Sequence, residues 1–407
     1  MQLPRALLCR PSDTKLCQHP VGDSQSRPHA LSLSQHQPEA GQNMRVKNPK
    51  DATTTSSWIA LRDRHGDVFS PFTEGHSPSP ATLLARGTLL LHYAHEPRPV
   101  RHNLIRYSSR TPWLSSLTVC TEPDGRMRVL MAQGTSSTAF DLPTAFRGPE
   151  EDVIFRYSWD GPARQASLAV DLPERGATFL ARAEGPFPLF FRDVNRIITA
   201  AAETTLSHEV RSVAFSAEIE PIGINPTLDP DARIATPQGE RPIASLRVGD
   251  HILTAEKDPA QIRWVCRQDL PARGRFAPLC LQAPFYGLHT DLIVAPDQRL
   301  RLSGSEVEYL FAEEQVSATS GHLMDGRTIV RGPETTIQRY YQLLLDRPAT
   351  LIVNGAKLES FDPGAMAGNR ELLEASVLRG LPPELVPSSY GSGLPQLKGF
   401  EALTLAH

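Results

Sequence analysis

The chain has 407 residues, with 42 Lys and Arg against 45 Asp and Glu and a formal charge of −3. That length suits two or three domains. The near-balance of charge excludes a broad electrostatic attraction to nucleic acid or an anionic membrane as the basis of function. With 36 Pro, 27 Gly and aromatic residues at only 7%, turns are frequent, which favours short strands over long helices.

Residues 1–50 are rich in Pro, Ser, Gln and His and lack periodic apolar positions. They cannot bury enough surface to offset their ordering entropy, so a disordered leader is expected, with Met44 as an alternative start. Ala6-Leu7-Leu8 is too short an apolar run for a signal peptide, and Arg10, Asp13 and Lys15 follow it closely. No stretch approaches the roughly 20 apolar residues of a membrane helix. The expectation is a soluble protein, cytoplasmic or secreted by a non-classical route. Cys9, Cys17, Cys120, Cys266 and Cys280 form no CxxC pair, and five cysteines in a chain this long do not make a disulfide scaffold.

From 55 to 215 the sequence reads as a β-sandwich. Leu89–Tyr93, Leu117–Val119, Met127–Met131, Val153–Trp159 and Ser167–Val170 are the clearest strands. Pro123-Asp124-Gly125 is a hairpin turn, because Asp and Gly accept the positive φ it needs. The pattern around that turn, with Tyr157-Ser158-Trp159-Asp160, resembles the laminin-G and concanavalin-like jelly rolls. Trp113, Tyr157 and Trp159 have two readings, a carbohydrate-stacking platform or core. Asp124 and Asp160 are either Ca²⁺ ligands or turn residues. Phe187–Phe191 and Val194–Ala202 read as a last strand and a short helix. Residues 216–226, with "EIEPIGINP", form an extended linker.

The character then changes. Ala232-Arg233-Ile234-Ala235-Thr236-Pro237-Gln238-Gly239-Glu240-Arg241-Pro242-Ile243 is followed by Leu246-Arg247-Val248-Gly249-Asp250-His251-Ile252-Leu253. Asp291-Leu292-Ile293-Val294-Ala295-Pro296-Asp297-Gln298-Arg299 comes later, and then Tyr340 through Leu343-Leu344-Leu345-Asp346-Arg347 to Asn354-Gly355-Ala356 and Glu359-Ser360-Phe361. In that order these stretches make 227–365 resemble the Hint superfamily, the fold of Hedgehog autoprocessing domains and inteins. The closest likeness is to the bacterial group found at the C-terminal end of β-rich proteins.

The resemblance implies self-cleavage chemistry. The first Hint residue, usually Cys, attacks the carbonyl before it, and a histidine in a Thr/Ser-x-x-His motif protonates the departing amide nitrogen. Here the matching positions hold Thr227 and Gln298, with Ala295 in place of the Ser/Thr, while Gln342 and Pro348 stand where the bacterial group commonly has histidine. A glutamine has no proton of useful pKa and a proline no side-chain donor. The expectation is a degenerate, pseudoenzyme-like Hint domain without cofactor or metal, serving as a structural or binding module. Two alternatives stand beside it. One is single-turnover cleavage at Pro226-Thr227 by N–O acyl shift, with His251 or His289 as substitute acid/base. The other is a carbohydrate-binding lectin-like module. Partners are then a protein or glycan ligand of the sandwich. Asp229-Pro230 reads as a turn, and Cys266 and Cys280 as structural thiols. The remaining residues, 366–407, form a Pro/Ser/Gly-rich tail, with Leu372, Leu373, Val377 and Leu378 at helical spacing.

Overall fold

The computed structural model describes residues 56–69, 79–144, 146, 148–386 and 393–405. The leader 1–50, Met44, Cys9 and Cys17 lie outside the described residues.

The fold is all-β, a sandwich followed by a second β domain. One sandwich sheet has seven strands, in the spatial order Ala177–Glu184, Gln165–Leu172, Glu151–Asp160, Arg86–His95, Val210–Ser216, Trp58–Asp63 and Val68–Phe69. The facing sheet has five, in the order Thr204–Leu206, His102–Ser109, Ser115–Thr121, Met127–Gln133 and Ser136–Leu142. Every pairing in both sheets is antiparallel. At the Asp124-Gly125 turn Gly125 has φ +83° and Glu122 N–H donates to Arg126 O at 2.8 Å, closing the hairpin.

The near-continuous apolar run from Val153 to Trp159 has a physical cause. Val153, Phe155, Tyr157 and Trp159 face the sandwich core, whereas Ile154 faces outward and is still fully buried. A strand covered on both faces loses the polar–apolar alternation of a half-exposed one. What covers the outer face is the second domain. Trp58, Leu61, Leu90, Ile154 and Ala214 pack against Leu270, Phe276, Ala295 and Tyr340. Trp58 Nε1–H donates to Asp269 O at 2.7 Å across this contact. Gly274, at φ +57°, sits so close to His92 that a Cβ there would lie 2.3 Å from the imidazole Nδ1, which accounts for glycine at that position. Residues Thr54–His407 accordingly form one compact unit.

The second domain contains a six-stranded sheet ordered Gly239–Pro242, Arg233–Thr236, Thr350–Val353, Ala356–Glu359, Arg299–Ser303 and Gln315–Thr319. The long strand Pro259–Pro271 pairs with Ile337–Leu345 on one side and His251–Leu253 on the other. Leu279–Leu281 lies between Leu292–Val294 and Ile329–Arg331. Turn chemistry follows the sequence. Asp250 Oδ2 accepts from Arg247 N–H at 3.1 Å, and Asn354 occupies φ +50° at the tip of a two-residue hairpin.

Two segments depart from the sequence reading. The sandwich does not end with the helix Phe191–Ile198, because Val210–Ser216 continues it as a central strand of the seven-stranded sheet. The stretch after it is anchored: Glu220, Ile222, Pro226 and Thr227 are buried, and Glu220 accepts from the Ser57 and Ser216 hydroxyls at 2.6 Å. Past the strands of the second domain, the helix Arg370–Ala375 is capped by Asn369 and places Leu372 against Ala169 of the sandwich. Leu378 and Leu381 cover Cys266, Leu344 and Phe361, so this part of the tail lies on the surface of both domains.

Candidate functional site

Thr227 enters the second domain at 6% exposure, stitched to two neighbours by three hydrogen bonds through its own and the next residue's backbone. Its N–H donates to Tyr341 O at 3.3 Å, Leu228 N–H to the same carbonyl at 2.9 Å, and its carbonyl accepts from Ala295 N–H at 2.7 Å. Gln298 arrives on the turn that follows Val294. Its N–H reaches Ala295 O at 3.0 Å, and Ser320 braces the turn by donating its N–H to Gln298 O at 2.8 Å and its hydroxyl to Ala295 O at 2.9 Å. Gln342 stands on the strand Ile337–Leu345, opposite Cys266.

These three side chains, far apart in sequence, meet in a closed triangle. Thr227 Oγ1–H donates to Gln298 Oε1 at 2.5 Å, and Gln342 Nε2 donates to Thr227 Oγ1 and to Gln298 Oε1, each at 3.0 Å. The outer valences are also filled. Gln298 Nε2 donates to Arg299 O at 2.9 Å and Glu359 O at 3.3 Å, and Gln342 Oε1 accepts from Leu343 N–H at 3.1 Å. Gln298 and Gln342 are 2% and 4% exposed. The triangle is therefore neutral, buried and satisfied, as a buried polar network must be to avoid costing stability.

Pro348 is not part of it; it is exposed in the Asp346–Ala349 connection. Neither alternative histidine is placed there. His251 is exposed on its strand, and His289 Nε2 is bonded to Glu240 Oε1 at 2.8 Å on the surface. Asp229 is two residues past Thr227, with Gln338 Nε2 donating to it at 2.8 Å and Asp231 N–H at 2.9 Å. Burial raises its carboxyl above the usual range, and Asp231 adds to that shift.

The residues before Thr227 are held by the sandwich. Arg156 and Asp171 form a buried ion pair on its outer face. Arg156 Nη2 donates to Asn225 Oδ1 at 3.0 Å, and Asp171 Oδ1 accepts from Gly223 N–H at 3.0 Å. Beside this anchor a cleft of about 610 Å³ lies between the domains, with Thr227, Gln298 and Gln342 in its lining. The sandwich turn 171–178 forms one wall, and residues 396–399 form another.

Arg275 ties the walls together, reaching Asp152 at 3.1 Å and Glu174 at 2.9 Å on the sandwich and Asp297 at 2.6 Å in the Hint domain. Burial opposes its charge, but the three carboxylates outweigh it and hold the guanidinium protonated. The hydrogen bond from His322, with Arg275 close by, pulls the Glu174 carboxyl down to about 2. Burial works to raise Asp152, yet His92, Arg275 and Arg211 hold it below the usual carboxylate range. No sequence signal marked Arg275, Glu174 or His322, because each acts across the interface rather than within a motif.

Elsewhere, Tyr157 and Trp159 are fully buried, and of the three candidate stacking residues Trp113 alone is open, at 44% exposure with Arg192 4.8 Å above its ring. Asp124 and Asp160 do turn duty, accepting from Arg126 N–H and Ala163 N–H. Cys120, Cys266 and Cys280 are free thiols. Among the described residues one group, Glu96, His208 and Glu209, has metal-ligand spacing. Arg98 pairs with both of its carboxylates. No helix among the described residues is long and apolar enough to cross a membrane.

Residues 226–365 match the family model of the Hint domain. The chain carries a Hint domain. No curated protein matches the chain. Among solved structures it is similar to the MchDnaB-1 intein, at 14% identity and TM-score 0.24, with 33% of this chain and 99% of that one covered. It is also similar to the CBM40 module of the Ruminococcus gnavus IT-sialidase, at 12% identity and TM-score 0.24, covering 33% and 77%. A third is the leech intramolecular trans-sialidase, at 12% identity and TM-score 0.23, covering 38% and 27%.

Proposed function

We propose that the Hint domain of this chain has lost self-cleavage and is retained as a scaffold, joined to the sandwich as a non-enzymatic binding module for a protein or glycan ligand. The observation that carries this reading is the partner of the Thr227 hydroxyl. For an acyl shift, Thr227 Oγ1 must attack the Pro226 carbonyl carbon, pass its proton to a base, and leave the amide nitrogen protonated. The proton acceptor at 2.5 Å is an amide oxygen, Gln298 Oε1, which takes up no proton near neutral pH. The nitrogen that would leave donates its own hydrogen to Tyr341 O, and among the described residues no titratable side chain is hydrogen-bonded to the Thr227 hydroxyl. Without a base or an acid, a threonine hydroxyl is a poor nucleophile.

The intact mass of purified protein, followed over days with and without hydroxylamine, tests this. A single full-length mass supports the silent reading. A break at Pro226-Thr227 that vanishes in Thr227→Ala restores the self-cleaving alternative.

A further inference from the structure

The cleft between the domains has chemistry that the Thr227 triangle does not use. Its volume, about 610 Å³, is within the range of small-molecule sites. Its charges are mostly compensated internally. Arg275 is met by three carboxylates, Asp171 by Arg156, and Glu174 by both Arg275 and His322. Arg299 is 3.6 Å from Glu359, and the Gln396 amide oxygen, turned toward it, accepts from its guanidinium at 2.6–3.0 Å. The remaining pair, half-buried Asp362 and exposed Lys398, have opposite signs. Both guanidiniums of the lining, Arg275 and Arg299, are therefore already met by carboxylates.

Two polar atoms of the lining are left without a partner among the described residues. Ser317 is 1% exposed, lies in the cleft lining, and its hydroxyl has no hydrogen-bond partner among the described residues. The buried Nδ1 of His322, in the same lining, has none either. Ser317 is on the strand Gln315–Thr319, where Val316 and Ala318 fill the Hint core and Ser317 takes the opposite face. Valine would suit that strand better than a hydroxyl left unpaired, and an unpaired buried hydroxyl carries a desolvation penalty. Aliphatic side chains, Leu172 and Ile224, complete the lining. Apolar surface with a few neutral hydrogen-bonding groups suits a ligand that is itself uncharged and hydroxyl-bearing.

We infer that the interdomain cleft is a binding site for a neutral carbohydrate, with the Ser317 hydroxyl and His322 Nδ1 hydrogen-bonding its hydroxyl groups. The inference rests on reading the sandwich and Hint domain as a binding module.

Isothermal titration of the full chain with maltotriose, cellotriose, mannotriose and tri-N-acetylchitotriose tests it, with 3′-sialyllactose and trigalacturonate as charged probes. The expected result is saturable binding of at least one neutral trisaccharide. Ser317→Val should weaken that binding by about fivefold to tenfold, the loss of one neutral hydrogen bond, while leaving the thermal midpoint equal or higher. His322→Phe, which keeps a ring in place, should weaken it similarly. Binding of none of the neutral sugars, binding of the charged probes alone, or affinity unchanged in both variants overturns the inference. Because cleavage is read separately by mass, failure of the sugar site is distinguishable from failure of the silent-Hint reading.

Discussion

If the Thr227–Gln298–Gln342 triangle serves the fold rather than chemistry, breaking it must cost stability. Gln298→Leu is the sharpest perturbation, because leucine approximates the shape and removes all four hydrogen bonds of a side chain that is 2% exposed. The Thr227 hydroxyl then loses its acceptor, and Arg299 O and Glu359 O lose a donor. Gln342 Nε2 keeps one of its two partners, Thr227 Oγ1. An orphaned buried polar group costs roughly 1–3 kcal/mol, and the new apolar contacts return part of that, so a net loss of about 2–4 kcal/mol is expected. Thr227→Val removes one donor and one acceptor but leaves Gln298 and Gln342 bonded to each other, for a loss of about 1–2 kcal/mol. Since the two residues are in contact, the double variant should fall short of additivity by about 1 kcal/mol. Chemical denaturation of the four proteins measures this. Single variants both within about 0.5 kcal/mol of the parent would refute a structural role for the triangle.

Other outcomes follow from the interface. Arg275→Met removes the guanidinium that Asp152, Glu174 and Asp297 share; Asp152 keeps His92 and Arg211, so the loss should be about 1.5–3 kcal/mol, read as a lowered denaturation midpoint. Glu174→Gln tests the pH dependence. The folded carboxyl, at about 2, lies below its unfolded value, so its stabilising contribution is full above about pH 4.5 and fades as pH falls toward 2. The thermal midpoint of the parent should therefore exceed that of the variant near pH 6, and the gap should close on acidification; a constant gap contradicts the assignment. Gly274→Ala places a Cβ 2.3 Å from His92 Nδ1 at positive φ, and should destabilise the unit by more than the roughly 1 kcal/mol that φ alone costs.

The legible and illegible parts of this molecule divide along physical lines. Strands such as Met127–Gln133 and turns such as Asp124-Gly125 are local, and propensity and turn chemistry announce them. The Hint stretches were readable because their order and turn residues match a known pattern, and that pattern placed Thr227, Gln298 and Gln342 at related positions. That they hydrogen-bond into a neutral triangle depends on contacts 44 to 115 residues apart, and no local signal encodes those. Val210–Ser216 falls, all but its last residue, within the sandwich expected over 55–215 but is not among its clearest strands, and Phe187–Phe191 reads as the last one. The cleft was equally invisible. Arg275 meets Asp152 across 123 residues, and a lone arginine among more than forty basic residues carries no mark of being buried.

The central claim is that the Pro226-Thr227 bond is stable in this Hint domain. The most direct measurement is denaturing mass spectrometry of the full chain after prolonged incubation at neutral pH with hydroxylamine, which traps an ester if one forms. Denaturing conditions matter because the apolar interface of Trp58, Leu90 and Ile154 with Leu270 and Tyr340 would hold cleaved halves together. The account predicts one full-length mass with no break before Thr227. An N-terminal fragment ending as the hydroxamate of Pro226, present in the parent and missing in Thr227→Ala, would contradict it.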